Sequence, residues 1–388
     1  MLDTTDRIGP VARALVEARP DSIHLVARDH LLLDFGALDS ELFLADYRQA
    51  TLCRTVHPTL PAVRVDGDAA GQAFLTEDVV ITGQSGGVRV CAPVAVRGAC
   101  LGVLSAVWPE RPDLLLQQDF RTLATVLAHA LVVAEQATDH YRRVRTRRPM
   151  TLAAEIQWNL LPGRGLGGDR FQLAGQLEPA YAIRGDTFDW SADEDHLNLT
   201  VCNGMGEGVA SAMLTSLAVN ALRNGRRAEL SLTEQAVLAN EMVWSQYAGR
   251  SYVSTVLVRV ELATGLVHLV DAGSPHLFRL RGGEHQRLEF MPELSLGMFD
   301  GSQYQEQVFQ LERGDRLLLL SDGVVDATLE GRSYGGNALD RAIRAGRLLS
   351  PAGAVRLLLS DLMTFHGSQD LADDAVAVCL NWSGKDDG

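Results

Sequence analysis

The spacing of hydrophobic and polar positions changes several times along the chain, and each change marks an element. Residues 8 to 35 read as helical, with Pro10 suited to a first turn and a break at ARPDS before IHLVARDHLLLDF. Strand-like runs follow: SELFLADY, QATLCRT, PAVRV, DVVIT, VRVCAPVAVRG and ACLGVLSAVW. The last two flank Arg97 and Gly98, so they are predicted to form a hairpin inside a sheet. A helix is predicted from near Pro112, in which Leu116, Phe120, Leu123, Leu127, Ala130, Ala134, Ala137, Tyr141 and Val144 recur at steps of four and three. Such a heptad seam suits two helices wound together, or a helix packed on its own domain. Ala124, Val126, Leu131 and Val132 widen the apolar face of its first half, which favours the domain's own sheet there. The basic run HYRRVRTRR, up to Arg148, leaves the second half too polar to bury. A helical connector that pairs two copies as a homodimer is therefore expected.

Pro149 interrupts this pattern, and LAAEIQWNLLP then places Leu152, Ile156 and Leu160 on one helical face. The stretch GRGLGG, Gly163 to Gly168, marks a boundary. From Phe171 onward the pattern is strands, two helices, more strands, a C-terminal helix and a last strand, an α+β domain.

Composition narrows the class. At 388 residues the chain exceeds a single average core, and its 46% hydrophobic and 22% charged content is that of folded protein. The longest apolar run, LATVLAHALVVA from Leu123 to Ala134, falls short of the roughly 20 residues a membrane span needs. The N-terminus lacks the basic-then-apolar pattern of a signal peptide, so a cytoplasmic location without a membrane partner is expected. Cys53, Cys91, Cys100, Cys202 and Cys379 are scattered through apolar stretches and read as reduced core residues. A net charge of −14 argues against nucleic acid or anionic lipid as a partner.

Candidate chemistry lies in four places within the second domain. RGDTFDW holds Asp186 and Asp189; LTVCNGMGEGVASAM holds Asn203 and Gly204; RLLLLSDGVVDA ends an apolar run at Asp322; and DLADDAVAVCLNW holds Asp373 and Asp374, which open the final strand. Each acid-bearing turn alone is common. Together they suggest a shared oxygen-ligand site, because hard divalent cations take carboxylates and Asp is the shortest that a strand terminus can aim at one point. His196, His268, His276, His285 and His366 show no zinc-type spacing. Asn203-Gly204 alone also fits a tight hairpin turn. The strand, glycine-rich turn and helix around it also fit a dinucleotide cradle, but no second parallel strand follows with the acidic residue such a cradle needs.

In order, the segments EIQWNLLP, RGDTFDW, NGMGEGVASAM, DAGSPHLFRL, LLLLSDGVVDA and LADDAVAV resemble the motifs of the SpoIIE/RsbU-type branch of the metal-dependent (PPM) serine/threonine phosphatases, over Leu152 to Trp382. A weaker resemblance, in AGQAFLTEDVVIT and CAPVAVRGACLGVLSAVW, is to a GAF sensor domain. The resemblance implies a GAF-like α/β/α sensor over residues 1–135, a helical connector over 136–164, and a PPM α/β/β/α sandwich over 165–388. It implies that Asp186, Asp322, Asp373 and the backbone carbonyl of Gly204 hold two Mn2+ or Mg2+ ions, with Asp373 preferred over Asp374 and with Asp189 behind the ligands. The catalytic set is then Asp186, Asn203, Asp322 and Asp373. The implied reaction is metal-assisted hydrolysis of phosphoserine or phosphothreonine on a small regulatory protein of the anti-anti-sigma type. The glycines of GMGEG keep the turn low for that substrate, and the helix from near Val209 aims its N-terminal amides at the anionic site.

Four positions depart from the family's pattern: Arg184 stands for the first glycine of its G-G-D segment, Asn203 for a bridging aspartate, Ser274 for a histidine and Val376 for a threonine. An amide offers one neutral oxygen, where a carboxylate bridges two cations with two anionic ones. Asn203 therefore predicts weakened metal binding, and a catalytically weak or silent partner-binding module is the alternative reading.

Overall fold

The structure, a computed structural model, describes residues 7–146, 150–179, 183–273, 275–367 and 371–384. It divides into two compact units, Met1–Pro149 and Met150–Gly388. Pro149 and Ser274 lie outside the described residues.

The N-terminal unit runs α1 (Ile8–Glu17), α2 (Ile23–Leu33), β1 (Asp39–Ala45), β2 (Thr51–Arg54), β3 (Val63–Arg64), α3 (Ala69–Thr76), β4 (Val80–Gln84), β5 (Gly87–Val96), β6 (Ala99–Trp108), α4 (Leu114–Ala134) and α5 (His140–Arg145). Its strands form one antiparallel sheet in the order β3-β2-β1-β6-β5-β4. Alternate residues of β1 serve opposite faces: Leu42 and Leu44 join Leu31, Phe120 and Leu127 under α2 and α4, whereas Phe43 and Ala45 join Ala73 and Phe74 of α3. The layering is thus α/β/α. The β5–β6 hairpin turns at Arg97 and Gly98, both at positive φ (49° and 85°), as the sequence predicts. Helix α3 was not anticipated; Asp68 starts it by accepting hydrogen bonds from the Ala70 and Gly71 amides.

The predicted continuous helix to Val144 is corrected. Helix α4 stops at Ala134, whose carbonyl receives the Ala137 and Thr138 amides, and the chain turns before the six-residue α5. Seam residues Phe120, Leu123, Leu127, Ala134 and Tyr141 are buried in this unit's own core. Arg145 reaches back to Glu135 at 3.0 Å. The apolar seam is thus filled from within the chain, because folding α5 back buries the Tyr141 ring that a paired coil would have needed.

The C-terminal unit runs α6 (Leu152–Leu160), β7 (Gly165–Gly168), β8 (Phe171–Glu178), β9 (Thr187–Ala192), β10 (His196–Gly204), α7 (Gly208–Arg227), α8 (Leu232–Tyr247), β11 (Val253–Glu261), β12 (Leu266–Ala272), β13 (His276–Arg281), β14 (Glu284–Leu288), β15 (Gln307–Gln310), β16 (Arg316–Leu320), α9 (Asp322–Val325), β17 (Thr328–Leu329), β18 (Arg332–Ser333), α10 (Asn337–Ala345), α11 (Pro351–His366) and β19 (Ala375–Trp382). Two antiparallel sheets, β15-β12-β11-β10-β9 and β14-β13-β16-β19-β8-β7, face each other. Their central strands, such as β10, β16 and β19, are apolar on both faces, and alternation sorts the side chains. Val201, Leu319 and Val378 point between the sheets, while their neighbours Cys202, Leu320 and Cys379 point outward under helices. Helices α7 and α8 cover the first sheet, and α10 and α11 the second, which gives the α/β/β/α sandwich. A reciprocal cap between Ser231 and Glu234 starts α8. All five cysteines are buried free thiols.

Candidate metal centre

Four strand ends meet at one edge of the sandwich. Thr187, the first residue of β9, pairs with Cys202, which places the preceding Asp186 beside the end of β10 at Asn203 and Gly204. Ala377 of β19 pairs with Leu320 of β16, so Asp373 and Asp374 precede one strand where Ser321 and Asp322 follow the other. Antiparallel register thus brings together residues that lie far apart in sequence.

Their environments differ sharply. Asp186 is fully buried, and neither of its carboxylate oxygens has a hydrogen-bond partner. Burial, followed by the charges of Asp374, Asp322 and Asp373, holds its carboxyl well above the usual carboxylate range. The nearby Ser321 hydroxyl relieves this only weakly, since it donates to the Asp374 carbonyl and accepts the Val376 amide. Asp374 is also fully buried, but satisfied. Its Oδ2 accepts Gln157 Nε2 at 2.7 Å and the amides of Arg184, Gly185 and Asp186 at 2.9, 2.9 and 3.3 Å. Asp373 is the more open of the pair and faces Arg184, with Nε 4.0 Å from Oδ1. Burial and then Asp322 raise the Asp373 carboxyl to about 6. Asp322 Oδ1 accepts Asn203 Nδ2 at 2.5 Å and the Gly323 amide at 3.0 Å.

The first turns of α7 hold the backbone of the two glycine turns. Ser211 Oγ donates to the carbonyls of Arg184 (2.5 Å) and Gly204 (3.2 Å), and Thr215 Oγ1 donates to that of Gly185 at 2.8 Å. These contacts demand glycine: a Cβ on Gly204 would lie 2.1 Å from Thr215 Oγ1, and one on Gly185, at φ +88°, 2.2 Å from Ser211 Oγ. A 260 Å3 cleft beside the cluster is lined by Arg184, Asp322, Asp326, Thr328, His366 and Asp373, among others. The Nε2 atom of His366 is buried there without a partner. A larger cleft of 490 Å3, beside Leu280, Arg313, Arg347 and Trp382, shares no residue with this cluster.

The sequence-derived residues Asp186, Asn203, Gly204, Asp322 and Asp373 therefore converge. Asp189 does not join them. Its oxygens accept Arg223 (2.7 Å) and Arg226 (3.0 Å), so it anchors α7 to β9. Sequence reasoning passed over Gln157 and Ser211, although they lie inside the quoted EIQWNLLP and NGMGEGVASAM, as well as Thr215 and His366, which lie outside every quoted motif. A hard cation fits the orphaned Asp186 carboxylate, with the Gly204 carbonyl and Asp373 as further oxygen donors. The fit is incomplete for two ions, because among the described residues no three His, Cys, Asp or Glu side chains converge closely enough to hold one.

Comparison with known proteins places this site in a family. Residues 193–383 match the family model for stage II sporulation protein E (SpoIIE). The chain is 24% identical over 191 residues to the phosphoserine phosphatase RsbP of Bacillus subtilis, covering 48% of this chain and 47% of RsbP. It thus spans about half the length of that relative. Against the phosphoserine phosphatase RsbU of the same organism it is 19% identical over 280 residues, covering 72% and 83%. The PP2C phosphatase domain and regulatory fragment of SpoIIE from Bacillus subtilis aligns with a TM-score of 0.49 at 16% identity, covering 55% of this chain and 63% of that one. With its strand-end cluster set at the edge of an α/β/β/α sandwich, the C-terminal unit is a PPM phosphatase domain of the SpoIIE type, homologous to RsbU and RsbP.

Proposed function

We propose that the C-terminal unit is a divalent-cation-dependent phosphatase that hydrolyses phosphoserine or phosphothreonine on a small regulatory protein of the anti-anti-sigma type, controlled by a GAF-like sensor in the N-terminal unit. The observation that carries this reading is Asp186, fully buried with both oxygens unpartnered, close to Asp322 and Asp373, which line a 260 Å3 cleft. A buried carboxylate without a counter-charge costs several kcal/mol, so retaining one makes sense where a cation joins it. RsbP and RsbU are phosphoserine phosphatases, which supports the substrate class. A cytoplasmic location belongs to the same proposal; among the described residues no helix is long and apolar enough to cross a membrane.

Asp186, the Gly204 carbonyl and Asp373 would hold Mn2+ or Mg2+. When bound, the cation supplies an acidified water and neutralises phosphoryl charge. The chain's own groups do the positioning. Asp374 ties the Arg184–Asp186 turn in place, Ser211 and Thr215 fix its carbonyls, and the Arg184 guanidinium faces the cleft. His366 lines the same cleft and is itself buried.

One observation favours a second reading, a catalytically silent binding module: the Asn203 amide donates to Asp322, occupying a carboxylate that would otherwise take metal. Hydrolysis of a phosphoserine peptide across a Mn2+ titration separates the two. The phosphatase reading expects turnover at millimolar Mn2+ that Asp186→Ala abolishes. No turnover in the native chain, with recovery in Asn203→Asp, would assign the native chain to the silent class.

A further inference from the structure

We infer that this centre holds one divalent cation rather than two, and that the Arg184 guanidinium supplies the second positive charge, facing the phosphoryl group. The inference rests on the proposed phosphatase reading for the identity of the ligand, but not for the number of ions.

It follows from what each carboxylate already binds. Asp374 is satisfied by three backbone amides and Gln157. Asp322 is engaged by the Asn203 amide and the Gly323 N–H. Asp373 accepts the Asp374 amide at 2.8 Å and has Arg184 opposite it. Of the four, only Asp186 is buried with both carboxylate oxygens lacking a hydrogen-bond partner. Both bonds to Asp322 fall on its Oδ1, so a second ion bound through that oxygen would need it to release Asn203 and would then meet the amide's NH2 group, which repels cations. Asn203 removes one negative charge and Arg184 adds one positive charge relative to the Asp and Gly of the family pattern, so both changes disfavour a second dication at the same place. Arg184 lines the 260 Å3 cleft together with Asp322 and Asp373, and guanidinium is well matched to a phosphoryl group because its fork bonds two oxygens at once.

The test counts ions in the full chain without any substrate. After chelation and dialysis, equilibrium dialysis against Mn2+ should give one ion per chain up to millimolar concentration. Asp186→Asn should lose it, and Asn203→Asp should raise the count to two. Two ions of similar affinity in the native chain, or one that survives Asp186→Asn, would overturn the inference. Inorganic phosphate, titrated calorimetrically into Mn2+-loaded protein, reads the second half. Arg184→Gly should weaken phosphate at least tenfold and Arg184→Lys less so, with the Mn2+ count unchanged; equal phosphate affinity in all three forms would refute the role of Arg184. Circular dichroism on each variant shows that it is folded. A chain that binds one Mn2+ yet fails to turn over would remove the phosphatase reading and leave the ion count standing.

Discussion

Replacing Asp374 should loosen the centre without removing any proposed metal ligand. One oxygen of this fully buried side chain accepts Gln157 Nε2 and three successive backbone amides, those of Arg184, Gly185 and Asp186. Hydrogen bonds to a charged group are worth about 1.5–3 kcal/mol each when removed singly, but four sharing one acceptor are not additive. Removing the partner of a buried charge-assisted set costs about 3–5 kcal/mol. Relief of the repulsion that Asp374 exerts on Asp186 offsets part of this, so about 3 kcal/mol is expected for Asp374→Ala. Asp374→Asn keeps an acceptor oxygen in place and should cost about 1 kcal/mol. Urea unfolding of the full chain, followed by tryptophan fluorescence, suits the test, since Trp158, Trp190, Trp244 and Trp382 report the C-terminal unit and only Trp108 the other. With a slope of about 3 kcal/mol per molar urea for a unit of this size, the Ala variant should unfold about 1 M earlier. If both variants unfold within about 0.2 M of the native chain, the claim that Asp374 organises the turn is wrong. If the Asn variant is as unstable as the Ala variant, charge and not the acceptor oxygen is what matters.

Two further outcomes are expected. His24, buried against His140 (ring centroids 4.9 Å apart) and near the Tyr141 hydroxyl, has its pKa lowered to about 4, first by burial and then by His140. The unfolded chain takes up this proton near 6.5, so the stabilisation is complete above that pH and falls by about 1.4 kcal/mol per unit toward 4, roughly 3 kcal/mol in all. Thermal melts of the N-terminal unit in the full chain between pH 7 and pH 4.5 should therefore decline steeply, and less steeply in His24→Gln; parallel curves would remove His24 as the cause. Asp189→Ala should cost about 3–5 kcal/mol because it strands Arg223 and Arg226, yet leave Mn2+ binding in place. Loss of Mn2+ binding by a variant that stays folded would return Asp189 to the metal centre.

The order of elements was legible because it depends on local signals. Apolar strand runs and the turn pair Arg97-Gly98 each act within a few residues. The same locality explains why Asp186, Asn203, Gly204, Asp322 and Asp373 could be picked out, since each ends or precedes an apolar strand. Tertiary structure decided the remainder. Whether the seam from Phe120 to Tyr141 faces a partner or its own core depends on where α5 folds back, and periodicity is identical in both cases. Asp189 stands three residues from Asp186 yet meets Arg223 and Arg226, whose positions are set by how α7 crosses the sheet. Asp373 and Asp374 are chemically the same in sequence, but consecutive residues entering a strand point to opposite sides, so one opens on the cleft beside Arg184 and the other closes the buried turn. The sequence by itself thus determined which residue types stand at the strand ends. Pairing register and helix packing alone determined which of their oxygens are already satisfied, and they leave both oxygens of the buried Asp186 without a hydrogen bond.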